Sequence, residues 1–431
     1  RPCLADIPAA ARILGPAAIA RAVFSGEDTA PLFATLAARL ERDAADAAAL
    51  CDMALLLDSR GEATTAAALR DAALAVRRDF AVVHGDGSGP RLLALVTAGG
   101  FMANTPVDFL LDGSNAVLWL CHVTDRTAAL PNLPPHDAAI LAVGEAPDQR
   151  DLLAGLPRLI ASLPHRVVNG FPDRIASLTR DGVAAQLDGI HGLICPAAVA
   201  VGRTELTDIA TGRAALDTLH PALHFPLVLR PEGTHAGLGM ERVMDLPQLA
   251  DILAESPTQT FQLSNFTEYR GPHGLHAKMR VVMIGGKPWP VHLALSEDWI
   301  VHYLSAGMAA DPARRAAEAA WFADFDTGFA CRHARALAQM QQRIGLDYWG
   351  FDGAETPDGT LLVFEVDTAL IVHDMDDPAT FPYKRPAMRA LFRAFRRLAF
   401  DGDTAPDPGP ASPSALSGRR APMTLPLPRG A

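Results

Sequence analysis

The stretch Gly350-Phe351-Asp352-Gly353-Ala354-Glu355-Thr356-Pro357-Asp358-Gly359-Thr360-Leu361-Leu362-Val363-Phe364-Glu365-Val366-Asp367 decides how the chain is read. An Asp-Gly pair between alternating runs is the strongest short-range signal for a two-residue hairpin turn. With Asp358-Gly359 as that turn, Asp352 stands directly opposite Glu365, their Cβ atoms about 4.5–5.5 Å apart. Alternation sets Asp367 on the same face and Leu362, Phe364 and Val366 on the other. Three carboxylates on one face repel one another, so the arrangement calls for a compensating cation. A sparse, oxygen-only set suits Mg²⁺, which keeps several waters and is completed by substrate phosphates. A free, solvent-facing hairpin is the alternative, and the apolar flanking sequence weighs against it.

Two further segments point the same way. Phe225 to Arg230 reads as a buried strand ending in a cation, and it runs into Pro231-Glu232-Gly233-Thr234-His235-Ala236-Gly237-Leu238-Gly239. Glycines let backbone N–H groups close on phosphate oxygens, while Arg230 supplies charge. No Gly-Lys-Ser/Thr follows, so this is not a P-loop. Lys278 to Ile284, Gly285-Gly286 and Lys287 to Leu295 form a second hairpin with a two-residue turn. Alternation there puts Lys278 and Arg280 on one face and Met279, Val281 and Met283 on the other. Two cations on one sheet face want an anion.

Outward from these segments the chain changes style. Residues 28–80 are alanine-rich and helical, with Ala45 to Leu57 and Ala63 to Val76 as a helix pair about 34 residues long, the period of a tetratricopeptide repeat. The other reading is an ordinary helical bundle on the next domain. Gly85 to Pro90 is a turn-rich break. Leu92 to Val96, Val117 to Leu120, Ala138 to Val143 and Val167-Val168 alternate with helices such as Asp151 to Ser162, the pattern of a small parallel sheet. Helices are expected over Ala313 to Ala323, Ala330 to Ile344 and Pro386 to Phe400. The last carries Met388, Leu391, Phe392, Phe395 and Leu398 on one face. The domains are therefore read as 1–85 helical, 86–172 parallel α/β, 173–402 hairpin-rich, and 403–431 a Pro/Ser/Gly-rich disordered tail.

The chain has 431 residues, is 49% hydrophobic and 20% charged, and carries a formal charge of −11. General disorder is excluded, and the charge excludes a polyanion as an expected partner: no nucleic acid is expected. No apolar stretch approaches the ~18 residues of a membrane helix, so no membrane partner is expected either. The five cysteines (Cys3, Cys51, Cys121, Cys195, Cys331) are scattered without CxxC spacing and read as reduced thiols of a cytoplasmic protein. Only Lys278, Lys287 and Lys384 are lysines, in a chain with 38 basic residues.

Taken in order, these segments resemble the ATP-grasp superfamily, the fold of glutathione synthetase and the ribosomal-protein glutamate ligases. The resemblance covers about Pro90 to Phe400. It implies an α/β (α+β) fold: a helical N-terminus, a small Rossmann-like pre-grasp domain and a two-lobed grasp domain with antiparallel sheets. It also implies an ATP- and Mg²⁺-dependent carboxylate–amine ligase working through an acyl phosphate, with one or two Mg²⁺ ions or Mn²⁺, on small-molecule or peptide substrates. The carried-over nucleotide residues are Arg230, Gly233, Thr234, His235, Gly237 and Gly239 over the phosphates. Asn265, Phe266 and Glu268 fall at the adenine and ribose, and Lys278 on the following strand.

The metal set carried over is Asp352, Glu365 and Asp367, and the catalytic set is Arg280, His302 and His373. His292 is a weaker substrate candidate. Asn265-Phe266-Thr267-Glu268-Tyr269, Pro290-Val291-His292-Leu293-Ala294 with Trp299-Ile300-Val301-His302-Tyr303, and Ile371-Val372-His373-Asp374-Met375 look like a subgroup with a tetratricopeptide-like helical N-terminus, where a protein partner would dock. Three departures stand out. Asp367 replaces the usual asparagine, Arg230 replaces a lysine, and an early nucleotide-contacting lysine is missing, with Arg180 or Arg203 in its place. The rival reading is a non-catalytic adaptor with a degenerate grasp domain.

Overall fold

The computed structural model describes residues 7–124, 132–233 and 237–401. The expected tail at 403–431 and the loop residues Thr234 and His235 lie outside them. Five strands build a first sheet: β1 (Asp79–Val83), β2 (Arg91–Val96), β3 (Val117–His122), β4 (Ala138–Leu141) and β5 (Val167–Val168). Its order is β1-β3-β2-β4-β5, parallel except for β1, which runs antiparallel to β3. Alternation feeds both faces. Phe80, Val82, Leu92, Ala94, Leu118 and Ile140 point one way, while Ala81, Leu93, Leu95, Trp119, Ala139 and Leu141 point the other. Both faces are covered, as a mostly parallel sheet requires.

One cover is the helical N-terminus. Helices Pro16–Phe24, Ala30–Arg42, Ala47–Ser59 and Ala63–Val76 share a core of Ile19, Leu36, Met53, Leu56 and Ala66. Ala47, Ala48, Leu50 and Ala73 face the sheet instead, small side chains letting helix and strands approach. The expected helix pair is present. However, it docks on a sheet rather than on a further repeat, so this layer is a bundle. The strand β1 falls inside the segment read as helical, so helices and sheet share one core across residue 85.

Next come β6 (Leu193–Ile194), β7 (Ala198–Gly202), β8 (Leu227–Pro231), β9 (Glu241–Val243) and β10 (Thr260–Asn265). The last four form an antiparallel sheet, β7-β10-β8-β9. Helices Arg203–Ala210 and Leu246–Glu255 close a separate core over it, with Leu206, Ile209, Leu249 and Leu253 against Leu227, Leu229, Phe261 and Leu263. The third sheet, β12-β11-β13-β14-β6, holds β11 (His276–Ile284), β12 (Lys287–Ser296), β13 (Tyr348–Glu355) and β14 (Leu361–Asp367).

The β11–β12 hairpin turns on Gly285-Gly286, with φ of 56° and 81°, values that a type I′ turn needs at both centres. Pro288 and Pro290 lie on β12, an edge strand where a missing N–H costs no ladder bond. The β13–β14 hairpin corrects the two-residue turn expected at Asp358-Gly359. Its loop has three residues, Pro357-Asp358-Gly359, closed by Thr356 N–H donating to Thr360 O at 3.0 Å, with Gly359 at φ 82°. That shifts Gly353 opposite Val363, and one extra residue, Phe364, then restores the register so that Asp352 does face Glu365. A longer turn and a bulge compensate.

Helix Lys384–Phe400 buries Met388, Leu391, Phe392, Phe395 and Leu398 as its pattern predicts. It packs between the first sheet and the third, with Phe395 against Tyr348 of β13 at 5.4 Å. None of the helices among the described residues is long and apolar enough to cross a membrane.

Candidate active site

The pairing of β11 with β13 brings Arg280 opposite Asp352, and the β13–β14 bulge brings Glu365 opposite Asp352 on its other side. The result is a chain of alternating charges rather than a bare acidic cluster. Arg280 donates from Nε to Asp352 Oδ1 at 2.7 Å and from Nη2 to Oδ2 at 3.0 Å. Lys278 Nζ adds a third contact, 2.8 Å from Oδ2. Arg280 Nη1 donates to Ile371 O at 3.0 Å. Asp352 is 1% exposed. Burial works to raise its pKa, but the two cations override it and hold the carboxyl well below the usual range.

Glu365 has a different partner. Arg180, at the start of helix Arg180–Leu187, donates from Nη2 to Glu365 Oε2 at 2.7 Å. Arg180 therefore occupies the centre, whereas Arg203 spends its guanidinium on the carbonyls of Leu253, Ser256 and Thr258. Across the gap between sheets, Arg230 on β8 feels both Arg180 and Glu365. Burial first, then Arg180, draws its pKa down to about 10. Asp367 accepts the Ala369 N–H at 2.9 Å. Burial, with the charges of Glu365 and Glu145, pushes its pKa up to about 7. Glu145, on the loop after β4, was not anticipated from the sequence; nothing local marks it.

The expected triad thus splits. Asp352 is bound by two cations and is not offered to a metal, and among the described residues no group of three or more His, Cys, Asp or Glu side chains is placed to hold one. Glu365 and Asp367 fit a divalent cation better. Asp367 carries the signature of an undercompensated carboxylate, which a cation beside it would relieve.

Burial and nearby cations draw the three candidate histidines below their ordinary value. His292 pairs with Arg280 across the ladder and lies tilted against Tyr303, with ring centroids 4.6 Å apart; burial and Arg280 push it well below its ordinary value. His302 is lowered by burial and by Lys278 and Arg280. His373 packs against Phe24 and Phe109 at 5.7 and 6.4 Å, its Nδ1 accepting the Met375 N–H at 3.2 Å. Burial takes it down to about 4. It faces the helical layer.

The segment after β10 makes its own set of contacts. Asn265 spends its side chain on the Ala222 carbonyl (2.8 Å) and the His224 N–H (3.0 Å), a structural bridge. Phe266 sits edge-on to Trp299 and under the Arg242 guanidinium. Glu268 Oε1 accepts the N–H groups of Tyr269 and Arg270 and approaches His276 Nε2 at 3.2 Å. In the glycine loop, Gly233, Gly237 and Gly239 have φ of 73°, 77° and 68°. A Cβ at Gly237 would lie 2.5 Å from Ile300 Cγ2, so the loop leans on the segment after β12.

Sequence reading also missed a second network beneath the first. Lys384 Nζ contacts Asp376 Oδ2 (3.0 Å), Glu318 Oε1 (3.4 Å) and the Tyr303 hydroxyl. Glu318 Oε2 accepts from Tyr383 at 2.6 Å and Tyr303 at 3.1 Å, and Oε1 from the Leu293 N–H at 3.0 Å. A lysine in an arginine-rich chain was the one available signal, since a compact ammonium suits a small buried cage.

No family model and no curated protein matches the sequence. ATP-grasp structures resemble the chain. A RimK domain ATP-grasp protein from Sphaerobacter thermophilus is 18% identical over 70% of this chain and 98% of its own, with a TM-score of 0.39. The D-cycloserine synthetase DcsG is 16% identical over 70% of this chain and 99% of its own, with a TM-score of 0.33. The VanG D-Ala:D-Ser ligase from Enterococcus faecalis is 11% identical over 71% of this chain and 100% of its own, with a TM-score of 0.39. The roles of individual residues rest on the geometry above.

Proposed function

We propose that the chain is an ATP-grasp carboxylate–amine ligase whose phosphate site lies between the second and third sheets. The observation that carries this reading is the convergence of Arg230 from the second sheet, Lys278 and Arg280 from the third, and Arg180 from the start of helix Arg180–Leu187, around Glu365 and Asp367. Arg180, Arg230, Lys278 and Arg280 face Asp352 and Glu365, and also Asp367 and Glu145, whose pKa values burial raises; that weakening of the acidic side suits a polyphosphate. In this reading a substrate carboxylate attacks the γ-phosphorus of ATP, releasing ADP and forming an acyl phosphate. An amine then displaces phosphate to give an amide.

Each residue has a separable task. Arg180 and Arg230 neutralise phosphate oxygens, and the loop 231–240 closes over them and excludes water. Arg280 is oriented by the bidentate grip of Asp352 and presents a fixed charge to the transferring group. His302, drawn below its ordinary value by burial and by Lys278 and Arg280, takes the role of proton acceptor for the incoming amine in this reading. Glu365 and Asp367 would hold Mg²⁺, which when bound supplies charge neutralisation at the phosphates.

The test is release of ADP and phosphate, screened against amino acids and short peptides. Glu365→Gln should abolish release while leaving thermal stability within a few degrees. Stability that collapses with turnover intact would make Glu365 structural. Hydrogen exchange over 232–240 should slow on adding a non-hydrolysable ATP analogue. The second reading, an adaptor that holds nucleotide or peptide and docks a protein partner on its helical layer, is favoured by the full commitment of Asp352 to Arg280 and Lys278. It predicts nucleotide binding with no release under any substrate.

A further inference from the structure

A cavity of about 90 Å³ lies where the helical layer meets the carboxyl ends of β2 and β3. Ligand sites of open α/β sheets sit outside those strand ends. Here, however, the helices Ala47–Ser59 and Ala63–Val76 also contribute walls, through Leu55 and Arg70. Val96, Phe109 and Ile371 make the lining largely apolar. Two polar groups break it. Arg70 Nη2 and Thr105 Oγ1 are buried and have no hydrogen-bond partner among the described residues. Thr105 is 4% exposed. The nearest acid to Arg70, Asp58, stands 3.8 Å away, beyond hydrogen-bond reach. Asp58 also lies close to the loop at Gly100, where a Cβ would meet its Oδ2 at 2.9 Å.

The other polar lining groups are already engaged. Asp108 accepts the Ala17 N–H through Oδ2 at 2.7 Å, while its Oδ1 makes no hydrogen bond among the described residues and stands 3.1 Å from His84 Nε2, the partner that balances its charge. Asn104 is exchanged with the Thr97 backbone, and Thr97 Oγ1 donates to Gln149. His122 lies over the carbonyl of Arg78. A buried guanidinium nitrogen and a buried hydroxyl left unmet are each costly, and a carboxylate is the group that satisfies both at once. Size narrows the choice. A cavity of ~150 Å³ takes benzene, so this one takes a ligand of roughly four to six heavy atoms that also reaches its open side. Ile371 ties the cavity to the site: it lines the space, and its carbonyl accepts from Arg280.

We propose that this cavity binds a small amino acid as the amine substrate, with its carboxylate on Arg70 and Thr105 and its short side chain against Leu55 and Val96. This inference rests on the ligase reading for the word substrate, but binding itself does not require turnover. The helical layer then is a wall of the active site, and the unusual N-terminus sets which amine is accepted.

The experiment is calorimetric titration of the full chain, without ATP, with alanine, propionate and propylamine. Alanine and propionate should bind and propylamine should not, because the unmet groups call for a carboxylate. Arg70→Gln should weaken alanine binding at least tenfold, and Thr105→Val several-fold. Leu55→Phe, which fills the cavity without touching either polar group, should abolish binding with the melting temperature held or raised. Absence of carboxylate binding by the unmodified chain, or equal binding by Arg70→Gln and Leu55→Phe, would overturn the inference. Alanine binding with no ADP release would leave the cavity standing and remove the ligase reading. ADP release whose amine KM is indifferent to Arg70→Gln would do the reverse.

Discussion

At the scale of single residues, Asp352 shows how far pairing outweighs burial. Two cations hold it, and removing its charge strands both of them in the interior. Breaking a buried pair in this way typically costs 3–5 kcal/mol. Asp352→Asn is therefore expected to lower the unfolding free energy by about that much in denaturant titrations, where Glu365→Gln should not. Asp52 works in the opposite sense. It accepts the Leu14 and Gly15 N–H groups, yet burial pushes its pKa from 3.8 to about 6. A folded pKa above the unfolded one stabilises the protonated form, so the contribution is full below pH 3.8 and is lost as pH rises through 6. Asn cannot titrate. Between pH 5 and 7.5 the unmodified chain should lose roughly 1 kcal/mol relative to Asp52→Asn, measured as the difference of two urea series.

Among elements, the β13–β14 hairpin carries the site, and its geometry depends on a turn and a bulge that offset each other. Gly359 sits at φ 82°, where a Cβ costs roughly 1–2 kcal/mol. Gly359→Ala should show faster amide exchange along 353–363 and a matching loss of stability. The ladder beyond the bulge, at Asp352 and Glu365, should be protected more nearly as before, because Arg280 and Arg180 pin it from neighbouring elements.

For the molecule as a whole, helix Lys384–Phe400 makes the first and third sheets a single cooperative body. Phe395 is fully buried, with its ring against Tyr348 of β13. Phe395→Ala is expected to cost about 3–5 kcal/mol. Calorimetry should still show the first and third sheets melting in one transition. The second sheet, with its own core under two helices, is the part expected to separate as an earlier event. Two transitions that divide the first sheet from the third would refute this coupling.

Local chemistry was legible in the residues alone. Short continuous apolar runs marked β2 to β5, Gly285-Gly286 marked the β11–β12 turn, and a period of 3.6 marked the C-terminal helix. These signals depend on neighbours a few positions apart. Asp352 opposite Glu365 was also legible, although the inferred two-residue turn was wrong and an unforeseen bulge at Phe364 corrected it. What the sequence could not supply was partnership across distance. Arg280 meets Asp352 over 72 residues and Arg180 meets Glu365 over 185, because sheet order, not spacing, sets which strands are neighbours. The same holds for β1, a strand within a helical stretch that only the open edge at β3 draws into the sheet. It holds too for Lys384 and Glu318, whose charges are tolerable in a core only once three tyrosine and aspartate partners have been folded around them.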